Sequence, residues 1–195
     1  MSLSSIAAVH VQSRRKLTTL TLLKFTFAAA VVCMLCLRVA HERQRNHRAR
    51  AMFRAAERGE RLPIAKLDPQ RVNVDLFSAQ GRTLALWAYV NEDLAAARYL
   101  TQVGSPLKSK SGNHTALLQA VAHLNPRLLS LALASGQFDR SDVEKALRKF
   151  ENTYTTIAPS ARNSEKRQAE ANERRDSVGR MLEKARCKLS KNSTG

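Results

Sequence analysis

Hydrophobic residues fall into three regimes along the chain. From Thr19 to Leu37 every position is apolar except Thr19, Thr21, Lys24 and Thr26. That is about the length a helix needs to cross a bilayer. Between about residues 48 and 150, short aliphatic clusters recur, and several of them are closed by a glycine. Beyond Ala158 the pattern thins. Val178, Met181, Leu182, Ala185 and Leu189 form one narrow helical stripe, whereas Ala158 to Glu173 carries almost no large apolar residue. The expected fold class is all-α: an N-terminal transmembrane helix, a short helical stack and a charged C-terminal helix.

The first regime reads as an uncleaved membrane anchor over residues 17–40, preceded by a basic tail at 1–16. Lys24 sits near its N-terminal end, where the side-chain stem can snorkel toward head groups. A cleaved secretory signal is the main competitor, with a basic region ending at Lys24 and an apolar run from Phe25 to Leu37. A cut after Ala40, however, would put Arg38 where a small residue is wanted. A mitochondrial presequence fits less well, because such segments are amphipathic and this one is apolar all round. Cys33 and Cys36 have redox-motif spacing, but apolar surroundings suppress thiolate formation. Arg14, Arg15 and Lys16 flank one end of the span and seven arginines between Arg38 and Arg58 flank the other. The larger cluster favours a cytoplasmic C-terminal side; the sequence leaves that side open.

A period appears in the second regime. Gly81-Arg82-Thr83-Leu84-Ala85-Leu86-Trp87-Ala88 is followed by Leu100 and Gly104. Asn113-His114-Thr115-Ala116-Leu117-Leu118-Gln119-Ala120 is followed by Leu133 and Gly136. Thr83 to Thr115, Ala88 to Ala120 and Gly104 to Gly136 are each 32 apart. Gly104 and Gly136 are expected to supply the left-handed residue that stops a helix.

This pair resembles the ankyrin repeat, with a threonine-led first helix, a small alanine at the helix crossing, paired aliphatics on the second helix and a closing glycine. Leu84 and Ala116 stand where that family has proline, and Leu86 and Leu118 where it has histidine. The template extends one unit earlier, where Met52-Phe53-Arg54-Ala55-Ala56-Glu57-Arg58-Gly59 looks like a first helix and its glycine turn. A shortened second helix through Leu62, Ile64 and Leu67 would follow. Ser141 and Glu144 read as a capping box opening a further helix through Val143, Ala146, Leu147 and Phe150. The expected layout is therefore a repeat domain with capping units over 41–150 and a charged, partly helical tail over 151–195.

Charge sharpens the choice of partner. The net charge is +17, which favours a partner of acidic character: lipid head groups, nucleic acid or an acidic protein. The excess lies toward the ends, since residues 62–139 carry seven basic and five acidic groups. Basic charge beside a membrane span has a simpler cause than nucleic acid, and no aromatic residue follows Tyr154, so nucleic acid is disfavoured. The five histidines show no metal-ligand spacing, and no phosphate loop or nucleophile elbow is present. No enzyme, cofactor or metal is expected.

In ankyrin proteins contacts involve finger tips and the exposed face of first helices, and the resemblance implies the same here. Arg54, Trp87 and Gln119 occupy one slot in successive units, one residue before the packed alanine. Trp87 reads either as an exposed hot spot in a groove or as a side chain filling a gap against Tyr89 or the N-terminal unit. Leu107, Lys108, Ser109 and Lys110 form a second candidate patch on a finger. The leading expectation is a single-pass membrane protein binding a protein partner without turnover. The rivals are an exported, envelope-side binder or inhibitor of immunity type, and a basic protein that binds nucleic acid or anionic lipid.

Overall fold

The computed structural model describes residues 3–154 and 165–192, with side chains over 24–154 and 168–191. Among these residues it is all-helical, with seven α-helices and one 3-10 turn and no strand. Residues 1–44 and 45–195 form two separate compact units. The basic side chains before Lys24 and residues 155–164 and 193–195 lie outside what the structure describes.

The first unit is helical from Leu3, as the opening part of α1 (Leu3–Glu57). One segment of this helix is long and apolar enough to cross a membrane. Its apolar side chains face outward: Phe25 is 76% exposed, Phe27 72% and Leu37 65%. Clustered exposure of this kind costs free energy in water and is relieved only by an apolar surrounding.

In the second unit the last turns of α1 bury Ala49, Phe53 and Ala56. After the turn at Gly59 the chain makes a single 3-10 turn, Ile64–Lys66, instead of the shortened second helix expected through Leu62, Ile64 and Leu67. Pro69 explains the early stop, because proline disfavours helical backbone in the residue before it. Leu62 and Leu67 are buried all the same, whereas Ile64 is exposed.

Two helical hairpins follow. Helices α2 (Leu84–Val90) and α3 (Leu94–Gln102) pair, as do α4 (Ala116–Ala122) and α5 (Pro126–Ala134). First helices pack on first helices in the order α2, α4, α6, and second helices in the order α3, α5, α7. The local chemistry repeats with the period read from the sequence. Thr83 Oγ1 accepts from the Leu86 amide and Thr115 Oγ1 from the Leu118 amide, each at 3.2 Å. Asp93 Oδ1 accepts from Ala96 N at 3.1 Å, and Asn125 Oδ1 from Leu128 N at 3.2 Å. Each cap satisfies an amide that the first turn leaves without a partner. At the far ends Gly104 and Gly136 adopt φ of 80° and 69°, and the Ser105 amide reaches back to the Leu100 carbonyl at 3.0 Å.

Small residues let the hairpins approach. Ala88, Ala96, Ala97, Ala116, Ala120 and Ala132 are at most 1% exposed, among the buried side chains of Leu84, Leu86, Leu100, Leu117, Leu128 and Leu129. Each such leucine contributes about 1.5–3 kcal/mol by leaving water. Tyr89 is fully buried among them; its hydroxyl lies 3.3 Å from the Thr101 hydroxyl, and burial pushes its pKa up to about 12.

Helix α6 (Arg140–Tyr154) does not start on the expected Ser141 and Glu144 box. Asp139 Oδ1 accepts from the Asp142 amide at 2.9 Å and Asp142 Oδ2 accepts from the Asp139 amide at 3.1 Å. This reciprocal pair performs the same task two residues earlier, leaving Ser141 exposed and Glu144 bonded to Arg140 at 2.8 Å. Helix α7 (Glu165–Asn192) packs on α5 and α6. Val178 and Leu182 are fully buried there, flanked by the half-buried Met181, Ala185 and Leu189.

Candidate interaction surface

Fingers between the hairpins are stitched to one another at the spacing of the repeat. Ser105 Oγ donates to the Val74 carbonyl at 2.9 Å. One unit further on, Gln137 Nε2 donates to the Ser105 carbonyl at 3.1 Å while its Oε1 accepts from the Leu107 amide at 2.9 Å. The Lys110 amide donates to the Gly81 carbonyl at 2.9 Å, and Thr83 Oγ1, besides capping α2, donates to the Pro106 carbonyl at 2.7 Å. Backbone groups that would otherwise be stranded between helices are thereby satisfied.

That stitching decides which candidate residues face solvent. Leu107 is fully buried and Ser109 is 6% exposed, so neither presents a contact face. Lys108 is turned inward to Asp142, and its ammonium lies 5.6 Å from the centre of the Phe138 ring. Lys110 alone of the four is exposed. On the first-helix slot, Arg54 is exposed and Gln119 half-buried, whereas Trp87 is only 6% exposed. The Arg82 guanidinium covers the Trp87 ring at 4.8 Å, a cation–π contact that closes it off from solvent. Trp87 is therefore a packing residue rather than an exposed anchor, and its Nε1 finds no hydrogen-bond acceptor.

The hairpin tips carry a polar cluster. His123 Nδ1 lies 3.3 Å from Glu92 Oε1, and Asn125 Nδ2 donates to Glu92 Oε2 at 3.2 Å. These residues border a polar cleft of about 490 Å³ that also takes in Arg127, Glu173 and Arg174. Glu92 and His123 are separated by about one repeat, and that spacing was the signal available for placing them side by side. Both Glu92 and Leu124 hold left-handed backbone, with φ of 52° and 47°. Among the described residues no group of three or more His, Cys, Asp or Glu is arranged to hold a metal ion.

Electrostatics here are local. Asp139 is held below the usual carboxylate range, first by the hydrogen bond from the Asp142 backbone and further by the nearby Lys108 charge. Burial pushes the Tyr154 hydroxyl up, and that hydroxyl donates to the Ala122 carbonyl at 2.6 Å, tying the end of α6 to the end of α4. Comparison with known protein families, with characterised proteins and with solved structures finds no match to this chain.

Proposed function

We propose that this chain is a single-pass membrane protein whose ankyrin-like helical stack binds a protein partner and performs no turnover. One observation carries the reading. Successive helical hairpins share buried faces and carry the same threonine caps at the interval of the sequence repeat, so that first helices and fingers form consecutive rows. A stack of this type cannot bury one hairpin alone and presents an extended surface built from equivalent positions. The apolar, outward-facing helix in the first unit supports the anchor.

Within the rows, Arg54, Gln119 and Lys110 are the candidate contact residues with solvent access, and Phe77, 37% exposed one finger before Lys110, adds apolar area. Two of these four are cationic, which favours an acidic partner face. The test is affinity capture from detergent-solubilised membranes with the full chain and the pair Arg54→Glu and Lys110→Glu. Loss of captured protein by the charge-reversed chain, with Arg148→Glu unaffected, is the expected outcome. Identical capture by both chains would remove this surface from the account.

A further inference from the structure

Where the first unit of the stack has only the Ile64–Lys66 turn, α3 and α5 supply nine residues each in the following hairpins. The flank of α1 beyond Arg45 is left partly uncovered, and a cleft of about 640 Å³ opens between it and the loop that follows. Its floor is apolar, formed by the half-buried Met52 and Ala55 and the buried Val72, with the exposed Ala51 at its edge. Its rim is cationic, formed by Arg48, Arg61, Lys66 and Arg71.

The charges on this rim are not spent internally. Among the described residues no carboxylate lies within ion-pair distance of Arg48, Arg61 or Lys66, and Arg71 meets Asp68 only at 3.5 Å with its side chain 76% exposed. Glu60, the one acidic residue lining the cleft, is bonded to Arg58 at 2.6 Å. The exposed Arg71–Asp68 pair is weak, and the four cations outnumber the single carboxylate that lines the cleft, so the rim keeps a positive potential.

An apolar floor under a ring of guanidinium and ammonium groups matches a ligand with a phosphodiester at one end and hydrocarbon at the other. Arginine offers the phosphate paired donors in a fixed fork. A free phosphate would leave the apolar floor in water, and a nucleic acid would find no aromatic ring lining the cleft on which to stack a base. Chain connectivity supplies the source. Arg48 follows Leu37 by eleven residues, a stretch that spans at most about 40 Å even when fully extended. A cleft tethered this closely to a membrane-spanning segment meets head groups at high effective concentration.

We propose that this cleft binds the head group and glycerol backbone of an anionic phospholipid belonging to the membrane that the anchor spans; the proposal rests on the single-pass reading given above. The experiment uses the full chain in neutral detergent, with bound lipid counted by native mass spectrometry after addition of phosphatidylglycerol or phosphatidylcholine. Occupancy by phosphatidylglycerol should exceed that by phosphatidylcholine at least about fivefold, the ratio expected for roughly 1 kcal/mol from one basic residue near the lipid. Arg61→Glu with Arg71→Glu should abolish the preference, whereas Arg148→Glu with Lys149→Glu, equal in charge change but outside the cleft, should preserve it. Equal binding of the two lipids, an unaffected cleft variant, or displacement of phosphatidylglycerol by inorganic phosphate at matched concentration would overturn the proposal. Flotation of each chain with pure phosphatidylcholine vesicles reads the anchor separately: all variants should float, and failure of every chain to do so would overturn the anchor and the lipid source together.

Discussion

Glu92 and Leu124 hold the same left-handed backbone at equivalent turns of two successive hairpins, with φ of 52° and 47°. Gly59, about one repeat before Glu92, holds φ of 75° at the preceding turn. Only glycine enters this region without steric cost, and a β-branched residue there is strained further. Leu124→Gly should therefore change stability by no more than about 1 kcal/mol, because relief of strain offsets the loss of a half-buried side chain. Leu124→Val, nearly as apolar, should cost about 1–3 kcal/mol. Thermal unfolding of the full chain in detergent compares the two; a valine variant as stable as the glycine one would show that the backbone at this turn is relaxed.

Gln137 bridges two fingers through both ends of one amide. Gln137→Ala leaves the Ser105 carbonyl and the Leu107 amide without that partner and should cost about 1–3 kcal/mol. Hydrogen exchange offers the sharper readout, since the Leu107 amide should exchange faster while amides in α2 remain protected. Unchanged exchange at Leu107 would remove the clamp from the account.

Ala88 and Ala120 sit in the packed layer of first helices and are at most 1% exposed. Enlarging the second of them, Ala120→Leu, should cost about 1–3 kcal/mol by overpacking, whereas Leu117→Ala should cost about 2–5 kcal/mol through the cavity it leaves. Gln119→Ala, on the half-buried side of the same helix, should be close to neutral. Denaturant unfolding of the three chains orders them, and a neutral Ala120→Leu would mean that α4 does not pack as closely as described.

The start of α6 makes a pH prediction. Asp139 titrates below its ordinary value of 3.8, chiefly because its carboxylate accepts the Asp142 amide. A depressed folded-state value means that the cap stabilises above the ordinary value and is lost as pH falls through the folded one. Carboxyl carbon shifts followed by NMR should place the Asp139 midpoint below 3.8, and Asp139→Asn, which still caps, should make unfolding less sensitive to acid. A midpoint at or above that ordinary value would contradict the geometry.

Much of this architecture could be read from residue order because its causes are local. The run from Thr19 to Leu37 needs no partner to declare itself, and the regular interval between Thr83 and Thr115 reflects two caps that each satisfy a nearby amide. What escaped the reading depended on neighbours distant in sequence. The inward turn of Lys108 follows from Asp142, which comes to it from the following unit, and the burial of Leu107 belongs to a finger held by Gln137. For Trp87 the helix slot left two readings open, an exposed anchor or a packed side chain, and the 6% exposure of the ring under Arg82 decides for packing. At α6, Asp139 competed with Ser141 for the same capping role, and composition alone favours neither.

Recovery of the intact chain from membranes after an alkaline wash tests the central claim most directly, because the binding stack is held to act from a retained anchor. The full-length mass, including residues 17–40, should remain in the washed pellet and dissolve only with detergent. Recovery in the aqueous supernatant, or as a species beginning after Ala40, would contradict the account.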